Sequence, residues 1–131
     1  MNENVFFFLK NKSEVKYLYG NMTIQQGLAE MDTHSYTSTP VIDENGYYIG
    51  SITEGDFLWY IYHNGKESIE KDTVKSIVRK DYLSASNIET SIPDLLQKSL
   101  NQNYVPIVDD RNIFIGIVTR KSIIEYFLYK L

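Results

Sequence analysis

Apolar positions along the chain fall into short runs divided by polar turns. Val15–Tyr19 alternates weakly and closes at Gly20-Asn21, which predicts a short strand and a turn. Behind Thr23, Ile24, Leu28 and Met31 share one helical face, and the Thr23 hydroxyl can accept the amide three residues on. That predicts a helix capped at Thr23 and ending near Asp32–Ser35. Thr39–Asp43 reads as a buried strand, Glu44-Asn45-Gly46 as a hairpin turn and Tyr47–Thr53 as the return strand. From Asp56 to Tyr62 a helix carries Phe57, Leu58 and Ile61 on its apolar face and stops at Asn64-Gly65. Lys66–Asp72 is charged, with Ile69 its one large apolar group, and reads as a linker. Val74, Ile77 and Val78 then predict a short helix opening a second unit, with a strand at Tyr82–Ala85. Ser91 caps the next helix, Pro93 sits in its first turn, and Leu95, Leu96 and Leu100 form its apolar face. Val105–Asp109 and Ile113–Thr119 predict a second hairpin, and Lys121–Leu131 a closing helix.

The two hairpins repeat. Residues 40–61 align without a gap on residues 106–127 at a constant offset of 66. Pro40 falls on Pro106, Asp43 on Asp109, Ile49 on Ile115, Gly50 on Gly116, Thr53 on Thr119 and Tyr60 on Tyr126. Such self-similarity means two copies of one supersecondary unit. The fold class is α/β (α+β): two β-α-β-β-α repeats, each a mixed sheet with two helices on one face, packed as a pseudo-twofold pair with clefts where the copies meet. The helix caps Thr23 and Ser91 pair at an offset of 68, so the first copy carries two extra residues within His34–Ser38. The expected organisation is a first repeat with its N-terminal segment at 1–66, a linker at 67–72 and a second repeat at 73–131.

Composition narrows the function. A half of about 65 residues is marginal alone, because it buries too small a share of its surface, so the copies are expected to share a core. A net charge of −4 gives no drive toward nucleic acid or an anionic membrane. The chain has no cysteine, which excludes disulfides, zinc thiolate sites and cysteine nucleophiles. No signal-peptide pattern and no apolar run of about 18 residues is present, so a soluble, cytoplasmic protein is expected. Phe6-Phe7-Phe8 is expected to cover the second copy's sheet or a partner subunit rather than meet a membrane. His34 and His63 lack an accompanying acidic cluster with ligand spacing, which argues against a metal site. Asp109-Asp110 matches Asp43-Glu44 and reads as turn chemistry, not as a catalytic dyad.

The candidate chemistry lies where each return strand runs into a helix: Gly50-Ser51-Ile52-Thr53-Glu54-Gly55-Asp56 and Gly116-Ile117-Val118-Thr119-Arg120-Lys121-Ser122. A helix start offers unpaired amides and a positive dipole end to an anion such as phosphate. A Thr hydroxyl there can donate to a phosphate oxygen, and a carboxylate three residues on can accept two ribose hydroxyls. With the repeat, with Pro40 and Pro106 opening each hairpin, and with Gly-x-x-Thr-x-x-Asp at Gly50–Asp56, the chain resembles a tandem cystathionine-β-synthase-type (CBS) domain pair. The resemblance implies a regulatory, non-enzymatic module that binds an adenosine-containing small molecule (AMP, ADP, ATP or a related adenosyl ligand) in an inter-repeat cleft, requires no cofactor, pairs as a homodimer and passes its output to a separate protein. It assigns Thr53 and Asp56 to phosphate and ribose, with Thr119 the matching hydroxyl.

The copies differ at this element. Ser122 stands where the first copy has Asp56, which weakens the ribose clamp. Arg120 and Lys121 add positive charge where the first copy has Glu54, so the first site is expected to favour the nucleoside and the second the phosphate. Two plainer readings stand beside these: Thr53 and Asp56 as a helix cap alone, and Arg120 and Lys121 as a solvated basic pair. The corresponding alternative for the whole chain is a protein-interaction CBS module without a nucleotide. Trp59 and Tyr62 fall away from the predicted apolar face and suggest an interface.

Overall fold

The computed structural model describes residues 4–31, 37–80 and 82–129. In chain order its elements are β1 (Leu9–Asn11), β2 (Leu18–Tyr19), α1 (Ile24–Met31), β3 (Ser38–Ile42), β4 (Tyr48–Thr53), α2 (Glu54–Asn64), α3 (Ser68–Lys71), β5 (Ser86–Asn87), α4 (Ile92–Asn101), β6 (Tyr104–Val108), β7 (Phe114–Thr119) and α5 (Arg120–Tyr129). Single 3-10 turns lie at Val5–Phe7, Lys12–Glu14 and Val74–Ser76. The copies are β2-α1-β3-β4-α2 and β5-α4-β6-β7-α5, the expected β-α-β-β-α unit in an α/β chain. In both, the first strand runs parallel to the second, and the second and third form an antiparallel hairpin.

Local chemistry fixes these elements. Asp43 Oδ1 accepts the amides of Asn45 and Tyr47, both at 2.9 Å. Asp109 Oδ1 does the same for Arg111 (2.8 Å) and Ile113 (3.1 Å). Gly46 (φ 93°) and Asn112 (φ 66°) hold equivalent left-handed positions, which such residues tolerate. The Arg111 guanidinium hydrogen-bonds Asp109 and holds its carboxyl below the ordinary value. Asp109 is therefore a turn residue, as its spacing predicts. Thr23 Oγ1 accepts the Gln26 amide and Ser91 Oγ the Asp94 amide, so both predicted caps form.

The chain divides into two units, Lys16–Tyr82 and Met1–Val15 with Leu83–Leu131. In the first, Leu18, Ile24, Met31, Val41, Ile52, Phe57 and Val74 form the core. In the second, the core is Val5, Phe8, Leu95, Val105, Ile107, Val118 and Ile123. These units cut across the expected boundaries at 1–66 and 73–131. Val74, Ile77 and Val78, which lead the second repeat along the chain, pack into the first unit's core. The segment before residue 16 joins the second unit instead: β1 pairs antiparallel with β7, placing Lys10 opposite Ile117. Apolar spacing shows that a segment is buried, but not which sheet edge accepts it.

Glycine makes room for that exchange. Gly50 has φ +148°, and a Cβ there would stand 2.7 Å from the Arg79 carbonyl oxygen. Gly116 has φ +156°, and its Cβ would collide with the Lys10 carbonyl. Each repeat's leading segment thus lies across a glycine of the other repeat's hairpin.

Other expectations are corrected. The first strand is Leu18–Tyr19, shorter than Val15–Tyr19. No strand forms at Tyr82–Ala85, because the Ser84 amide and hydroxyl both bond to Gln102 Oε1; β5 follows at Ser86–Asn87. Residues 66–72 are not a plain linker. They contain α3, Ile69 packs on the first core, and the Tyr60 hydroxyl donates to Asp72 at 2.6 Å. Leu58, placed on the buried face by its spacing, is 70% exposed. The Phe cluster does cover the second copy's sheet at Phe8, which lies in the core with Val105, Ile107 and Val118, while Phe6 and Phe7 stay exposed. The expected end of α1 near residues 32–35 lies outside the described residues, as does His34. The length difference assigned to 34–38 lies largely outside them too.

Candidate functional site

Thr53 is the last residue of β4 and the N-cap of α2. Its Oγ1 accepts the Asp56 amide at 3.2 Å, while Asp56 Oδ2 accepts the Thr53 amide at 2.8 Å. This reciprocal box satisfies two otherwise orphaned donors. The capping reading is therefore correct for both residues. It does not exhaust them, because a carboxylate offers about four acceptor positions. The Asp56 side chain also meets Arg79, with Nε 3.1 Å from Oδ1. The Arg79 guanidinium stacks on Tyr82, 3.9 Å from the ring centroid.

These groups open onto a cavity of about 680 Å³ lined by Thr53, Gly55, Asp56, Leu58, Trp59, Tyr62 and Arg79. Its size suits a nucleotide-scale ligand. Trp59 and Tyr62 stand exposed at 63% and 75%. Thr53, Gly55 and Asp56 come from the start of α2, and Leu58, Trp59 and Tyr62 from further along it. All the lining residues belong to the unit Lys16–Tyr82.

The second copy builds a related but weaker arrangement. Ser122 replaces the carboxylate: its amide donates to Thr119 Oγ1 at 3.0 Å, and its Oγ accepts the Thr119 amide at 3.2 Å. A cavity of about 570 Å³ lies here, with Lys10, Thr119, Lys121, Ser122 and Tyr126 in its wall. Lys121 is exposed and sits 3.9 Å from Glu125, a solvated i,i+4 pair. Arg120, grouped with these residues by sequence, turns elsewhere. Its Nε donates to the Ser99 carbonyl at 2.7 Å and an amino group to the Leu100 carbonyl at 3.1 Å. It closes the last turn of α4, where a cation also meets the negative dipole end. The structure therefore brings Thr119, Lys121 and Ser122 together and leaves Arg120 outside.

Arg79 and Lys10 were not singled out by the sequence reading. They occupy matching places: Arg79 bridges Ser51, Lys10 pairs with Ile117, and each lines the cavity of its own unit. A second alignment carries the signal. At an offset of 69, Val5 falls on Val74, Phe8 on Ile77, Leu9 on Val78 and Lys10 on Arg79. Among the described residues no group of His, Asp and Glu could hold a metal ion, and no helix is long and apolar enough to cross a membrane.

A duplicated β-α-β-β-α unit with a capped helix start after each hairpin, Thr-x-x-Asp in the first copy and Thr-x-x-Ser in the second, defines a class of tandem-repeat fold. The chain belongs to the CBS domain family, whose model matches residues 10–63 and 74–129. It is 30% identical over 106 residues to the inosine-5'-monophosphate dehydrogenase of Methanocaldococcus jannaschii, covering 79% of this chain and 20% of the relative. The chain thus spans about a fifth of the length of the curated relatives it matches. Among solved structures it resembles CbpB in complex with c-di-AMP, with a TM-score of 0.90, 19% identity and coverage of 96% and 85% of the two chains. It also resembles CBSX2 in complex with AMP, with a TM-score of 0.76, 21% identity and coverage of 97% of each chain.

Proposed function

We propose that the cavity beside Thr53 binds an adenine nucleotide and that the chain acts as a regulatory ligand-sensing module. One observation carries this reading: a single cavity joins a carboxylate, a guanidinium and two aromatic rings at a helix start. Asp56 keeps acceptor positions for a ribose diol. The first-turn amides of Glu54 and Gly55 have no intrahelical acceptor and favour an anion. Tyr62 and the face of Trp59 opposite its stacked neighbour His63 can take a base. The family membership and the AMP and c-di-AMP carried by two structural neighbours support the same ligand class. The module would act by stabilising whichever conformation binds the ligand better, since a ligand shifts an equilibrium only by its difference in affinity between states.

A second reading, an interaction module without a nucleotide, draws on the exposure of Leu58, Trp59 and Tyr62. A thermal-shift panel of AMP, ADP, ATP, S-adenosylmethionine and c-di-AMP separates the two. A true ligand at about 100 times its Kd adds about 2.7 kcal/mol of stability, a rise of roughly 10 °C for a chain of this size. An unmoved midpoint with all five would favour the interaction module.

A further inference from the structure

We propose that Arg79 sets the charge preference of the Thr53 cavity by changing partners: its guanidinium leaves the Asp56 carboxylate for the ligand's phosphate, and the released carboxylate takes the ribose. The inference rests on the nucleotide reading above.

The first turn of α2 carries two carboxylates, Glu54 and Asp56. A helix dipole equivalent to about half a charge cannot offset both against an incoming phosphate. Among the described residues, Arg79 is the cation that lines this cavity. Its contacts to Asp56 run through Nε, at 3.1 and 3.3 Å. The forked terminal amino groups therefore remain available for a second anion, which a guanidinium binds in bidentate fashion.

The residue is held in place but not locked. Its amide donates to the Ser51 carbonyl at 3.1 Å and its carbonyl accepts the Ser51 amide at 3.3 Å, pinning the backbone beside β4. Tyr82 supports the guanidinium plane. The side chain is 48% exposed against 16% for Asp56, so water screens the ion pair from the Arg79 side and lets the guanidinium swing away. In the other unit the matching cation is Lys10, and Ser122 stands where the first copy has Asp56.

The test is calorimetric titration of adenosine and of AMP into the unaltered chain, Arg79→Gln and Arg79→Lys. Glutamine keeps the backbone pairing with Ser51, and lysine keeps the charge. The expected result is AMP binding about tenfold weaker in Arg79→Gln, the worth of one charge-assisted contact. Adenosine should stay within about twofold or tighten, because Asp56 is released. Arg79→Lys should recover part of the AMP preference. Equal losses for both ligands, or AMP binding unchanged in Arg79→Gln, would overturn the proposal while leaving the nucleotide reading intact. Failure of both ligands to bind the unaltered chain would remove that reading, and this inference with it.

Discussion

Gly50→Ala is expected to destabilise the chain by about 3 kcal/mol, measured as a fall in denaturant midpoint at unchanged slope. Two costs combine. The backbone at φ +148° lies where side chains are strained, a penalty of about 1 kcal/mol or more. The new methyl would also stand 2.7 Å from the Arg79 carbonyl and 2.9 Å from Val78 Cγ2. Overpacking of that kind costs about 1–3 kcal/mol. Relief requires the segment carrying Val74, Ile77, Val78 and Arg79 to move off β4. The same substitution should therefore weaken nucleotide binding although residue 50 does not line the cavity. A loss under about 1 kcal/mol would show that the segment is only loosely seated, against the fold described here.

Asp56→Ala should have the largest effect on binding. It removes the ribose acceptor and the carboxylate that accepts the Thr53 amide. Losing two hydrogen bonds to a charged group predicts roughly 100-fold weaker adenosine binding. The lost half of the capping box adds a stability cost of about 1 kcal/mol. The released Arg79 contributes little to that cost, because its own side chain is half exposed and regains water. Ser122→Ala removes the equivalent cap in the other copy and should cost similar stability, yet leave adenosine affinity within about threefold. Equal effects of the two substitutions on adenosine affinity would refute the asymmetry between the sites.

Much of this was readable from the residues because the controlling interactions are local. The hairpin turns depend on Asp43 and Asp109 bonding amides two and four residues on. The caps at Thr23, Thr53 and Ser91 close within three residues. The repeat doubled each of these signals. What the sequence hid is non-local. Nothing in the spacing of Val74, Ile77 and Val78 distinguishes the sheet before them from the sheet after them, so their packing on the first copy's core is not legible in the residues. Arg79 was missed for the same reason: its partner Asp56 lies 23 residues back. Arg120 looked like a phosphate ligand because it begins a helix, whereas the carbonyls that bind it come from the end of another helix. Leu58 shows the limit of periodicity, since one residue's rotation of about 100° decides whether a side chain meets core or cavity.

The central claim is most directly tested by titrating AMP into the 15N-labelled chain and following amide and indole signals by NMR. Trp59 is the sole tryptophan, so its indole gives one unambiguous reporter in the cavity. The account predicts that this indole shifts together with the amides of Gly55, Asp56 and Arg79, and saturates with a single affinity. Signals that stay fixed there, or that move only around Thr119 and Ser122, would contradict it.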